Sequence, residues 1–147
     1  MKTVVITTWY FNPIHPWHIE CMKKCKELGD ELWVIVNNDV QARLKTGKQE
    51  LFQDEKFRCD VVSSIRYVDE VRLSIDHEPT IFETLKLVAR EIRQKHGPDT
   101  KLIFGKWWDW NMGNILEKDL CKELHITVVD GLWKKIYNSS DYRNKVI

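Results

Sequence analysis

The chain has 147 residues, 43% of them hydrophobic and 31% charged, which is the balance of a globular chain and not of a disordered or fibrous one. A chain of this length buries roughly 68–70% of its unfolded surface, enough for a single self-sufficient domain spanning residues 1–147. Lys and Arg total 23 against 22 Asp and Glu, which excludes the basic field of a general nucleic-acid binder.

The β-branched run at residues 4–8 reads as a buried strand, and the apolar stretch around it is too short to span a membrane. Only Lys2 precedes it, so neither a secretory leader nor a membrane association is expected, and the expected location is cytoplasmic. A loop with Asn12 and Pro13 follows. Pro16 suits the first position of a helix, where its missing N–H costs nothing. That helix carries Ile19, Met22, Cys25 and Leu28 at helical spacing and is expected to be capped by Gly29. Residues 32–36 form a second strand. A polar stretch with Lys45, Gly47 and Lys48 then leads to a helix over about 54–67.

Residues 71–75 alternate like a strand, and 79–96 read as a long helix ended by Gly97 and Pro98. A strand at 101–105, a helix at 115–124 and a strand at 126–129 complete the alternation. Asn138 or Ser139 would cap a short terminal helix. Strands alternating with helices of this length predict an α/β fold, a parallel sheet of five strands with helices on both faces. Such sheets bind ligands at the carboxyl ends of their strands, so function is expected in the loops after Thr8, Val36, Ile75, Phe104 and Val129.

The first of these loops is the most informative. His15 and His18 stand three residues apart at a helix start, which aims two imidazoles at one place. The helix adds amide donors and the positive end of its dipole, a combination suited to a phosphate that gains charge during reaction. Four cysteines, Cys21, Cys25, Cys59 and Cys121, are too scattered for a disulfide framework. His18, Cys21 and Cys25 share one side of the first helix, a zinc-type combination. No fourth ligand stands nearby, however, and the two cysteines occupy the face needed for the core. No metal is therefore assigned to protein ligands. Seven tryptophans are the unusual count. Trp107, Trp108 and Trp110 crowd together and fit packing, a contact in a possible homodimer, or a stacking surface for a base.

Phe11, Asn12, His15 and His18 resemble the signature G-x-F-[D/N]-x-x-H-x-G-H of the small nucleotidylyltransferases of the cytidylyltransferase type. The resemblance runs through residues 34–39, the Lys45–Lys48 region, Arg58, residues 66–71, the glycine-led loop at Gly105, and residues 135–140. It implies a Rossmann-like five-stranded parallel sheet. It also implies transfer of CMP or AMP from a nucleoside triphosphate to a small phosphorylated acceptor, with release of pyrophosphate. On this resemblance His15, His18 and Lys45 are catalytic. Tyr10, Phe11, Asn12, Arg58, Gly105, Asn138, Ser139 and Ser140 bind nucleotide, and Lys48 and Trp107 contact the acceptor. Mg²⁺ would accompany the triphosphate. Two tryptophans depart from the pattern: Trp9 stands at the first signature glycine and Trp17 replaces the glycine of H-x-G-H. Trp17 is expected to line the ligand pocket. The competing reading is a catalytically silent nucleotide-binding protein in which these two tryptophans have closed the site. The pattern is also similar to heptose-phosphate adenylyltransferases, and the donor preference leans slightly to CTP over ATP.

Overall fold

The computed structural model describes residues 1–107 and 115–132. Five strands form one parallel sheet: β1 (Thr3–Trp9), β2 (Glu31–Val36), β3 (Glu70–Leu73), β4 (Lys101–Gly105) and β5 (Ile126–Val129), in the order β3-β2-β1-β4-β5. Between them run α1 (Pro16–Glu27), α2 (Asp39–Thr46), α3 (Glu55–Ser63), α4 (Phe82–His96) and α5 (Ile115–Glu123). Alternate strand residues face opposite sides. Val4, Ile6, Trp33, Ile35 and Phe104 pack with α4 and α5, whereas Val5, Leu32, Val34 and Ile103 pack with α1 and α3. Because both faces are covered, the strands read as nearly continuous apolar runs, and the sheet is the expected Rossmann-like one.

Strand order reverses at β1. The chain leaves β1 through α1 towards β2, then crosses through α4 on the other face to reach β4 on the opposite side of β1. This opens a crevice outside the carboxyl ends of β1 and β4, where a doubly wound sheet binds its ligand. The buried Thr7 ties the two strands at that end. Its hydroxyl donates to the Gly105 carbonyl at 2.8 Å and accepts from Trp107 Nε1 at 2.9 Å.

Four local expectations are corrected. The polar stretch after β2 is the helix α2, set by a reciprocal cap in which Gln41 N donates to Asn38 Oδ1 and Asn38 N donates to Gln41 Oε1. Gly47, at φ 72, ends it in the left-handed region. Helix α3 stops at Ser63, four residues early, because the Ser63 and Ser64 hydroxyls turn back to the Asp60 carbonyl. Helix α4 starts at Phe82 instead of Pro79, because the Asp76 carboxylate accepts from the amides of Glu83 and Thr84. Helix α1 is capped by Leu28 in an ordinary right-handed conformation. Gly29 serves a different purpose there, since a Cβ on it would lie 2.9 Å from the Thr3 carbonyl.

Gly105 has the same kind of constraint. A Cβ there would lie 2.8 Å from Cys25 Sγ, which is fully buried beneath it. Gly105→Ala should therefore cost about 1–3 kcal/mol of stability through overpacking. Denaturant unfolding should show it, and adding Cys25→Ala should return part of the loss.

Candidate active site

The loop from β1 to α1 builds the site. Phe11 takes φ 55, a left-handed conformation that is costly for a residue with a Cβ. That turn drives its ring under the site, edge-on to His18 at 5.3 Å and to Trp107 at 5.8 Å. Asn12 Oδ1 accepts from the Gln53 amide at 3.1 Å, which anchors the loop to the start of α3. His15 is the N-cap of α1 in extended conformation, and Pro16 is its first residue.

The two histidine rings stack with centroids 3.8 Å apart. His18 Nδ1 accepts the His15 backbone N–H at 3.0 Å. Burial, and secondarily the neighbouring His15, push the His18 pKa down to about 3, and burial also lowers that of His15. His18 is therefore neutral near pH 7. With Nδ1 committed as an acceptor, its proton sits on Nε2. The ring thus offers an N–H donor without bringing a charge of its own.

His15 and His18 line a cleft of about 210 Å³ together with Trp9, Tyr10, Asn12, Pro13, Ala42, Lys45 and Thr46. The last three come from α2, the helix missed in the sequence, and the Asn38–Gln41 capping pair was the signal that would have found it. Lys45 Nζ rests 5.1 Å above the Trp9 ring and 5.0 Å above the Tyr10 ring. This cation–π seat places a positive charge at the cleft beside two imidazole donors. Trp9 does not close the site. Its ring stacks on Trp107 at 5.4 Å and forms a wall.

The structure thus gathers Tyr10, Asn12, His15, His18 and Lys45 around one cleft and places the other candidates elsewhere. Phe11 lies beneath it, 1% exposed. Lys48 lines an adjoining shallow cleft with Asn12, Thr46 and Glu50. Trp107 is buried and its Nε1 is spent on Thr7, so it supports the site from below and does not reach an acceptor. Gly105 is buried against Cys25, and its close approach serves helix packing. Trp17 packs edge-on to His15 at 5.8 Å and does not line the cleft.

Arg58 is the main correction. Its side chain is wholly buried, pairs with Asp39 at 2.7 Å, and donates to the carbonyls of Tyr10, Asn37 and Gln53. It shapes the cleft and cannot reach a phosphate. Trp108, Trp110, Trp133, Asn138, Ser139 and Ser140 lie outside the described residues. Among the described residues no three His, Cys, Asp or Glu side chains converge as a metal cage, and no helix is long and apolar enough to cross a membrane.

A neutral donor pair and a lysine at the switch crevice of a doubly wound sheet define an α/β protein equipped to handle nucleotide phosphates. Comparison with known proteins gives the family. The cytidylyltransferase-like family model matches residues 9–144. An FAD synthase of Picrophilus torridus is 33% identical over 150 residues, covering 97% of this chain and 95% of that protein. The bifunctional protein HldE of Nitratiruptor sp. is 29% identical over 125 residues, covering 85% of this chain and 24% of that longer protein. The crystal structure of a lipopolysaccharide core biosynthesis protein from Thermoplasma volcanium superimposes with a TM-score of 0.65 at 28% identity, covering 88% of this chain and 96% of that one. The chain belongs to the cytidylyltransferase-like family and is a nucleotidyltransferase.

Two measurements check the site's construction. Because the folded pKa of His18 is depressed below 6.5, the unfolded chain takes up the proton first. Stability is then complete above about pH 6.5 and falls as pH drops towards 3. His18→Gln should flatten that acid slope in denaturant titrations, and an unchanged slope would assign it to another group. Arg58→Met should cost about 3–5 kcal/mol, because it strands Asp39 and three carbonyls.

Proposed function

We propose that this protein transfers the adenylyl group of ATP to a small phosphorylated acceptor, with FMN the leading candidate. The relatives named FAD synthase support ATP over CTP, because FAD is FMN carrying an adenylyl group, so the slight lean towards CTP is given up. The observation that carries the reading is the neutral His18, whose Nε2–H is fixed by the His15 amide at 3.0 Å and faces a cleft that also holds Lys45.

In the reaction a phosphate oxygen of the acceptor attacks the α-phosphorus of the triphosphate. The new P–O bond forms as the bond to the bridging oxygen breaks, and the electron pair leaves with pyrophosphate. No covalent enzyme intermediate is needed. Negative charge grows on the α- and β-phosphate oxygens, and His18 Nε2–H, His15 and the first turn of α1 would meet it with donors held in place. Lys45 would leave its aromatic seat to neutralise the phosphates. Mg²⁺ would enter as part of the Mg–ATP substrate, held by phosphate oxygens and water, which requires no protein cage. Asn138, Ser139 and Ser140 remain proposed phosphate contacts, and Lys48 a proposed acceptor contact.

Pyrophosphate release from ATP plus FMN, measured beside CTP plus FMN and ATP plus sugar phosphates, tests the reading. His18→Ala should raise the barrier by about 2.7–4 kcal/mol, as for the loss of one preorganised donor. Full turnover in that variant would remove His18 from the chemistry. Faster release with CTP than with ATP would overturn the donor.

A further inference from the structure

A second cleft, of about 180 Å³, shares Trp9, Tyr10 and Lys45 with the histidine cleft and extends to the starts of α4 and α5. Its apolar lining comes from Trp9, Tyr10, Pro79 and Ile81, and its polar lining includes Asn37 and Glu117. Both of these polar residues are more than nine-tenths buried, at 3% and 8% exposure. Asn37 Oδ1 already accepts from the Thr8 hydroxyl at 2.9 Å, so its Nδ2 is left as a donor with no acceptor among the described residues. Glu117 Oε2 lies 3.5 Å from Lys106 Nζ. Its Oε1 has no hydrogen bond among the described residues. The Glu117 charge acts on Tyr10, raising its pKa after burial has done so, which places the carboxylate beside the aromatic wall.

Buried polar groups without partners are destabilising, and a ligand that supplies the partners regains that free energy. Here one donor and one acceptor adjoin two aromatic side chains. Trp9 is held from behind by its stack on the buried Trp107, so its ring is a fixed platform. The matching ligand is flat, aromatic and polar at one edge, with an N–H for the carboxylate and an acceptor for the amide.

We propose that this second cleft seats a heteroaromatic ring that stacks on Trp9 and is read at its edge by Glu117 and Asn37, which makes these three residues the specificity determinants of the transfer. The inference rests on the nucleotidyl-transfer reading and gives it a substrate class. The ring belongs either to the acceptor or to the nucleobase of the triphosphate, since an imide edge and an aminopurine edge both carry an adjacent donor and acceptor.

Riboflavin and adenosine, which carry the rings without phosphates, are the probes, with binding followed by flavin fluorescence and by calorimetry. Glu117→Leu and Trp9→Leu should each weaken one of them about tenfold or more, and Glu117→Gln should lose less because it keeps a carbonyl acceptor. Tripolyphosphate binding should be unchanged in all three. If the loss falls on riboflavin the ring is the acceptor's, and if it falls on adenosine it is the base's. Ligands lacking the N–H, 3-methylriboflavin and N6,N6-dimethyladenosine, make the same test on the wild-type protein. The one matching the ring should bind about tenfold more weakly than its parent. The proposal is overturned if the wild type binds neither ring, if the methylated ligands bind as well as their parents, or if the variants lose tripolyphosphate in parallel. Intact ring recognition without pyrophosphate release from any pair would instead overturn the transfer reading alone.

Discussion

The buried guanidinium of Arg58 is the interaction on which the site depends. It reaches from α3 to the ends of two adjacent strands, donating to Tyr10 O at 2.7 Å and Asn37 O at 2.6 Å, while Asp39 balances its charge from the first residue of α2. Strand ends in a parallel sheet have carbonyls without ladder partners, and in a dry environment each needs a donor. A planar cation with five N–H groups can meet several at once, which a lysine cannot. The consequence is geometric. The backbone of Tyr10, the loop before α3 and the N-terminus of α2 are referred to one rigid group, so Trp9, Tyr10 and Lys45 hold their places around the cleft.

Helix α2 is fixed at its other side by two amides. Asn38 Nδ2 donates to the carbonyls of Ser74 and Asp76, and Gln41 Nε2 to those of Glu78 and Thr80. The segment carrying Pro79 and Ile81 is therefore bound to the helix that carries Lys45. The lysine is the mobile element in this rigid frame. Its seat is made of ring faces and not of a carboxylate, so a phosphate can draw it away without first breaking an ion pair.

Much of this was legible in the sequence because the fold is written in periodicity. The β-branched runs, Pro16 and the 3.6-residue spacing of α1 placed strands and helix, and His15 and His18 stood out by spacing and position. What escaped notice depended on long-range partners. Arg58 looks like any helix-surface cation until three carbonyls distant in sequence are brought around it. Trp107 looked like a substrate contact because nothing local shows that Thr7, a hundred residues away, takes its N–H. Helix α2 was passed over because its apolar face is only Val40, Ala42 and Leu44 among polar residues. Its caps, and not its hydrophobicity, define it.

The two tryptophans that stand at signature glycines have opposite structural consequences. A glycine at either place permits close backbone approach, and a large side chain must then go somewhere else. Trp17 goes outward and braces the edge of His15, which leaves the imidazole stack in place. Trp9 goes along the cleft, and this is possible because Trp107 lies flat beneath it, itself seated on Thr7 at the point where β1 and β4 meet. The same Trp107 also touches His18, at 5.4 Å between centroids. One buried indole therefore supports both the ring that meets phosphate and the ring that walls the second cleft. A change in its packing acts on both sites together, whereas substitution of Trp9 alters the wall and leaves the His15–Nδ1 hydrogen bond that sets the His18 tautomer.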